Sequence, residues 1–143
     1  MRIEDLIKLH EFTVKEINSV PEVTGCYIIF CENNPIYVGK ATNLRERLKQ
    51  HDSPDEENVC IRILKRFFSF TMTDSVAEAE EMEGLIYDTF IENLKFVPAA
   101  NRIAPPKSKY SNVDNKGEFV RHVKYLTHCL AKKKGGNIHR NNK

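Results

Sequence analysis

Two tyrosines, a lysine, an arginine and a glutamate carry most of the chemistry that this sequence offers. Tyr27 ends Gly25-Cys26-Tyr27, Tyr37 opens Tyr37-Val38-Gly39, and Lys40 and Arg47 follow closely. Phenols can hold or abstract a proton of water, while an ammonium and a guanidinium grip phosphate oxygens. The run therefore has the equipment to bind and attack a phosphodiester. Glu83 comes later, within an apolar stripe at helical spacing. An ionised carboxylate facing a core costs several kcal/mol unless a cation or hydrogen-bond donors satisfy it, so Glu83 should meet an arginine or a metal ion.

Such side chains need elements to hold them. Thr24, Cys26, Ile28 and Phe30 alternate with Gly25, Tyr27 and Ile29, which predicts a buried strand, and Glu32-Asn33-Asn34-Pro35 turns the chain into Ile36-Tyr37-Val38. With a loop of Glu32 to Asn34, Cys31 faces Pro35, Ile29 faces Tyr37 and Tyr27 faces Gly39. The two phenols then lie diagonally on one face, and Gly39 leaves room for water or substrate at Tyr27. Thr42 or Asn43 caps a helix whose Leu44 and Leu48 pack inward, with Arg47 and His51 one turn apart at the edge of that face. Lys40, Arg45, Arg47, Lys49, Arg62, Lys65 and Arg66 make a basic cluster suited to nucleic acid.

Phe67 to Met72 alternates as a third strand, and Ser75-x-x-Glu78 is a capping box opening a long helix. On that helix Val76, Ala79, Met82, Ile86 and Phe90 form the stripe that contains Glu83, with Glu78, Glu81, Asp88 and Glu92 opposite. From Asp74 to Glu92 the chain carries acids and no basic residue, so the outer face of the helix repels a polyanion and only its inner face can be catalytic.

The remaining composition frames these elements. A length of 143 residues, 41% hydrophobic and 29% charged, fits one domain with an appendage. The net charge of +2 is unevenly spread: residues 107–143 hold ten Lys/Arg against Asp114 and Glu118, which leaves the rest of the chain acidic. That basic tail, with Lys132, Lys133 and Lys134, can neutralise phosphates regardless of base sequence. Cys26, Cys31, Cys60 and Cys129 form no C-x-x-C pair, which argues against a zinc site or disulfide framework and for reduced thiols. Met1 to Leu9 includes Glu4 and Asp5 and does not read as a signal peptide, and no apolar run would span a bilayer. A soluble protein of the cytoplasm or nucleoid is expected. Ile3, Leu6, Ile7, Val14 and Ile17 predict a helix over 3–18, and Phe119, Val120, Val123, Leu126 and Leu130 predict another beyond Pro105-Pro106. The expected organisation is a helix in 1–20 packed on a core, a domain over 21–104, and a basic helix and tail over 105–143.

In their order and spacing, Gly25-Cys26-Tyr27, Tyr37-Val38-Gly39, Lys40-Ala41, Arg47 and Glu83 resemble the GIY-YIG nuclease superfamily. Val20-Pro21 and the run from Ile36 to Leu44 are similar to its bacterial excision-repair members, whereas the position of His51 is closer to the intron-homing members. The likeness covers roughly residues 20–104. It implies a small α/β (α+β) domain with a central three-stranded antiparallel sheet flanked by helices, acting as a divalent-metal-dependent endonuclease on DNA, with RNA left open.

Carried over position by position, the resemblance makes Tyr27 and Tyr37 the motif tyrosines and Arg47 the phosphate-side arginine. Glu83 becomes the ligand of Mg2+, for which Mn2+ would substitute, and Lys40 and His51 become accessory groups. Either tyrosine stands as candidate base, with Tyr27 preferred and Tyr37 positioning water and metal. Cys26 replaces the usual apolar residue of the first tripeptide and should behave as a small hydrophobe. The family's late asparagine is assigned to Asn101 rather than Asn93. No zinc finger or helix-turn-helix is recognisable, so specificity would come from DNA structure, a protein partner or the C-terminal extension. The alternative is a non-catalytic nucleic-acid-binding module on the same fold. The intact set Tyr27, Tyr37, Arg47 and Glu83 favours the enzyme.

Overall fold

The structure is a computed structural model and describes residues 8–95 and 97–110. The predicted helix beyond Phe119, Cys129 and the Lys132 to Lys134 run lie outside the described residues, as do residues 1–7 of the predicted N-terminal helix. The elements in order are β1 (His10–Glu11), α1 (Val14–Ile17), β2 (Gly25–Cys31), β3 (Asn34–Ala41), α2 (Leu44–Asp52), α3 (Val59–Leu64), β4 (Phe67–Met72) and α4 (Val76–Leu94). The strands form one antiparallel sheet in the order β1-β4-β2-β3. The three long strands are those anticipated, and the two-residue β1 adds a fourth at the edge.

That edge strand stands at His10–Glu11, within the span 3–18 predicted as helix, of which residues 3–7 lie outside the described residues. His10 and Glu11 pair with Phe68 and Phe67, and the His10 ring stacks on Phe68 and Phe70. Pairing with the free edge of β4 satisfies backbone groups that a lone amphipathic turn would leave to water. Among the described residues of that span, Val14–Ile17 are helical, capped by Thr13, whose hydroxyl accepts from the Glu16 N–H.

β2 lies at the centre of the sheet and is buried along its whole length, so its two faces organise two cores. Tyr27, Ile29 and Cys31 join Leu44 and Leu48 of α2 and Cys60, Ile61 and Leu64 of α3 on one face. Cys26, Ile28, Phe30 and Val38 meet Ala79, Met82 and Ile86 of α4 on the other. Cys26 donates its thiol to the Ala79 carbonyl, and burial pushes its pKa up to about 12, as expected of a packing residue. Cys26, Cys31 and Cys60 are unbridged and buried.

The hairpin between β2 and β3 is tighter than predicted. Cys31 pairs with Asn34, so the turn is Glu32-Asn33, with Glu32 in the left-handed region at φ 54°. A bulge between Ile29 and Phe30 leaves Ile36 as an extra residue on β3, which restores the pairing that the shorter turn would have shifted. Ile29 therefore faces Tyr37 and Tyr27 faces Gly39, as the longer loop would also have arranged. A one-residue slip would have sent Tyr37 to the opposite face of the sheet.

The long helix α4 begins where expected, with the Ser75 hydroxyl accepting from the Glu78 N–H. It buries two faces rather than one. Asp88, expected on the solvent side, is 6% exposed and accepts hydrogen bonds from the Ser108 hydroxyl and the Lys109 N–H. The sequence pattern missed this because the covering strand of chain, residues 104–110, is irregular and carries no periodic signal. The strap packs so closely at Gly84 that a Cβ there would come within 2.8 Å of the Lys107 carbonyl carbon. Residues 105–110 are thus fastened to the domain that was expected to end at 104. Among the described residues, no helix is long and apolar enough to cross a membrane.

Candidate active site

β3 is an outer strand of the sheet, and several of the groups singled out from the sequence gather along it. A cleft of about 570 Å3 is lined by Tyr37, Lys40, Arg47, His51, Glu83 and Asn101, together with Glu56, Glu57, Arg102, Ile103 and the Pro105-Pro106 pair. Tyr37 reaches it from the sheet face covered by α2, and Glu83 from the side covered by α4. The outer edge of β3 is therefore where residues from both layers can meet.

Asn101 holds that edge in place. Its Oδ1 accepts from the Val38 N–H at 2.8 Å and its Nδ2 donates to the Val38 carbonyl at 3.0 Å, while the Ala100 N–H donates to Ile36 O at 2.7 Å. Residues 100 and 101 thereby pair with β3 as a short surrogate strand. Asn93, the other candidate, lies exposed on α4 and donates to the Thr89 carbonyl.

Glu83 is 8% exposed, and its Oε1 is buried with no hydrogen-bond partner. Burial raises its pKa from 4.5 to about 7, with nearby Lys40 opposing the rise and Glu80 adding to it. The prediction that Glu83 lies inside the apolar face of α4 holds. Among the described residues no arginine pairs with it. Lys40 reaches the same cleft but gives its ammonium to Glu80 Oε1 at 2.8 Å.

On the opposite wall, Asn43 caps α2 by accepting from the Glu46 N–H, and this helix presents Arg47 and His51. Arg47 is exposed, donates to Gln50 Oε1 at 2.9 Å, and has both phenols in its electrostatic reach. His51 is buried rather than placed at the edge of the apolar face. Its Nε2 lies 2.7 Å from the Tyr27 hydroxyl and its Nδ1 lies 3.4 Å from Glu56 Oε1. Burial lowers the His51 pKa to about 4, against the pull of Glu56, so the ring is neutral at pH 7.

The space expected beside Tyr27 is filled. Tyr27 lies over Gly39 so tightly that a Cβ there would be 2.5 Å from its Cζ and hydroxyl oxygen, and Tyr27 is only 1% exposed. Gly39 therefore admits the tyrosine ring itself, not solvent. The ring centroids of Tyr27 and Tyr37 are 6.0 Å apart, and each stands about as close to the His51 ring. Burial raises the pKa of both phenols, with Arg47 opposing in each case; the rise is large for Tyr27. Tyr37, half-buried, is the phenol that lines the cleft.

The basic cluster does not converge. Of its members only Lys40 and Arg47 line the cleft. Arg45 donates to Val20 O and pairs with Glu22, Arg62 binds the Glu56 carbonyl, Lys65 stands over the Phe12 ring, and Arg66 bonds to Ile63 O and Lys65 O. Lys49 is exposed on α2. Arg102, Glu56 and Glu57 at the cleft were not anticipated, because they come from irregular segments. Glu56 is two residues before Asn58, the cap of α3, which is the only hint of its place that the chain offers.

A divalent cation fits one feature of this geometry. Among the described residues no group of three or more His, Cys, Asp or Glu side chains is clustered to hold a metal. A lone carboxylate with an unsatisfied buried oxygen at the wall of an open cleft suits Mg2+, which takes oxygen ligands and keeps several waters.

Comparison with known proteins shows the family of the chain. Residues 23–92 match the family model of the GIY-YIG catalytic domain. The chain is 34% identical over 97 residues to UvrABC system protein C of Thermotoga petrophila, covering 68% of this chain and 15% of that protein. It is 32% identical over 83 residues to the protein of the same name from Rickettsia canadensis, covering 56% of this chain and 13% of that one. The chain therefore corresponds to a small fraction of these relatives' length. A crystal structure of the GIY-YIG N-terminal endonuclease domain of UvrC from Thermotoga maritima, bound to magnesium, shares 30% identity over 53% of this chain and 86% of that chain, with a TM-score of 0.48. Through residues 23–92, this chain belongs to the GIY-YIG family.

Proposed function

We propose that this domain is an endonuclease that hydrolyses phosphodiester bonds in DNA with one divalent cation, Mg2+, held by Glu83. The observation that carries the reading is the unpartnered Oε1 of buried Glu83 in a cleft shared with Arg47, Lys40 and Tyr37. A merely structural carboxylate would have found a donor, since an unsatisfied buried oxygen costs about 1–3 kcal/mol or more when charged. Bound there, the cation would polarise the phosphate and stabilise the leaving oxygen.

The protein's own groups divide the remaining work. Arg47 is exposed at the cleft and can place its guanidinium on a non-bridging phosphate oxygen, stabilising charge that develops there. Lys40 holds Glu80 and adds positive charge beside Glu83. Tyr37 is the phenol placed to contact the attacking water, and Tyr27 stands behind it as the next proton acceptor rather than the first. Asn101 keeps β3, and hence Tyr37 and Lys40, in register with the cleft. Lys132, Lys133 and Lys134 supply non-specific affinity for the DNA backbone.

The test uses the purified chain with supercoiled, branched and single-stranded DNA, in Mg2+, in Mn2+ or in EDTA. Cutting in metal, its loss in EDTA, and its loss in Glu83→Gln and Arg47→Ala with binding retained are expected. Unchanged cutting in both variants would overturn the assignment. A wild type that binds DNA and cuts none of these substrates would leave a binding module.

A further inference from the structure

We infer that Glu56 is a positioning residue that fixes the tautomer of His51, so that the imidazole receives the proton released when the attacking water is activated. The inference rests on the hydrolase reading above and deepens it by adding a residue that no motif marks.

Three groups, two of them buried and Glu56 largely so, follow one another from the loop before α3 to the sheet. Glu56 Oε1 is 3.4 Å from His51 Nδ1, and His51 Nε2 is 2.7 Å from the Tyr27 hydroxyl. The side chains of His51 and Glu56 are 5% and 14% exposed. His51 Nδ1 makes no full hydrogen bond, and a small rotation would complete one to Glu56. Glu56 is itself held, since Oε1 accepts from the Asn58 N–H at 3.3 Å and its carbonyl accepts from Arg62 Nη1 at 2.9 Å. Asn58 in turn caps α3 and donates to the Ala100 carbonyl beside Asn101. The loop is thus tied to both walls of the cleft.

A carboxylate oxygen can only accept, so the ring nitrogen that faces it must carry the hydrogen. Nε2 then presents its lone pair, and the Tyr27 hydroxyl must be the donor in the 2.7 Å bond. The groups facing His51 are Tyr27 on β2, Tyr37 on β3, Arg47 on its own helix, Glu56 on the loop, and Lys65 at the end of α3. Arg47 and Lys65 oppose a charged ring, and Glu56 alone favours one. A neutral ring that gains a carboxylate partner on protonation is suited to receive a proton briefly and return it.

In the step this implies, water gives its proton to the Tyr37 oxygen as the Tyr37 proton passes to Tyr27 and the Tyr27 proton passes to His51 Nε2. The electron pair of the broken water O–H bond forms the bond to phosphorus. The bond from phosphorus to the leaving oxygen breaks with its pair on that oxygen, which takes a proton from solvent. His51 returns its proton to solvent after product leaves.

Long-range proton–nitrogen correlation NMR on the full chain at pH 7, with the His51 signal assigned by its absence in His51→Gln, reads the tautomer directly. The wild type should show hydrogen on Nδ1. Glu56→Ala should move it to Nε2 or to a mixture, and Glu56→Gln, whose amide oxygen still accepts, should keep it on Nδ1. In single-turnover cutting, Glu56→Ala should slow the reaction on the order of tenfold to a hundredfold with DNA affinity unchanged, and Glu56→Gln, which keeps the tautomer but not the charge, should recover part of the rate. Hydrogen on Nε2 in the wild type, or one tautomer in all three proteins, would overturn the role of Glu56. A chain that cuts nothing would sink the hydrolase reading, whereas the nitrogen spectra would still decide the tautomer.

Discussion

Replacing Glu83 by glutamine should stabilise the metal-free protein at high pH while abolishing the cutting activity proposed for it. Folding raises the Glu83 carboxyl from 4.5 to about 7, so the folded state binds this proton more tightly than the unfolded chain. Stability from that proton is fully present below pH 4.5, declines between 4.5 and 7, and is gone above 7. The full interval corresponds to about 3 kcal/mol. Glu83 borders an open cleft from which water screens the charge, which brings the expected penalty down to about 1–2 kcal/mol. Glutamine cannot ionise and escapes it. Urea unfolding of both proteins in EDTA at pH 4.5 and pH 8 measures the difference, and His51, common to both, cancels. The variant should gain about 1–2 kcal/mol relative to wild type on going from pH 4.5 to pH 8. Saturating Mg2+ should erase much of that gain by stabilising only the wild type. A difference that does not change with pH would refute the claim that Glu83 is held in an environment built for a cation.

Other perturbations follow from the same geometry. Asn101→Ala leaves the Val38 N–H and carbonyl unpaired at a buried edge and should cost about 2–4 kcal/mol in denaturant unfolding, with cutting reduced as β3 loosens. Asp88→Ala removes the acceptor for Ser108 and Lys109, so it should lose about 1–3 kcal/mol and expose the 104–110 strap to limited proteolysis. Arg47→Ala should lower the slope of log affinity against log salt by about one, because it removes the phosphate contact proposed for this residue, while Arg66→Ala, which lies outside the cleft, should leave the cutting rate unchanged. His51 is held neutral down to about pH 4, whereas the unfolded chain takes its proton near 6.5. Stability therefore falls as pH drops through that window, and His51→Gln should flatten the acid side of a melting-temperature profile.

Particular residues show how far the chain can be read without its fold. The alternation in β2, the capping residues Asn43 and Ser75, and the burial of Glu83 on α4 were all legible, because each depends on local spacing or on the cost of a charge facing apolar neighbours. His10 and Glu11 were misread as helix because a two-residue edge strand exists only where β4 offers a partner. Asp88 looked solvent-facing because the strap that buries it is irregular and has no periodicity. The hairpin register came out right at Tyr27 and Tyr37 although the turn was shorter, since the bulge returned the missing residue. Basic residues close in sequence scattered in space, as neighbouring positions on short helices point in different directions.

What the chain alone determined is which groups are available and that one carboxylate must lie against a core: residue type, period and the desolvation of charge suffice for that. Tertiary structure alone decided that Tyr37 rather than Tyr27 reaches the cleft, that Glu56 stands behind His51, and that Lys40 is shared with Glu80. Those outcomes depend on how two layers of side chains close around the edge of β3. Distances between elements far apart in sequence are set by packing of the whole domain, which no local pattern encodes.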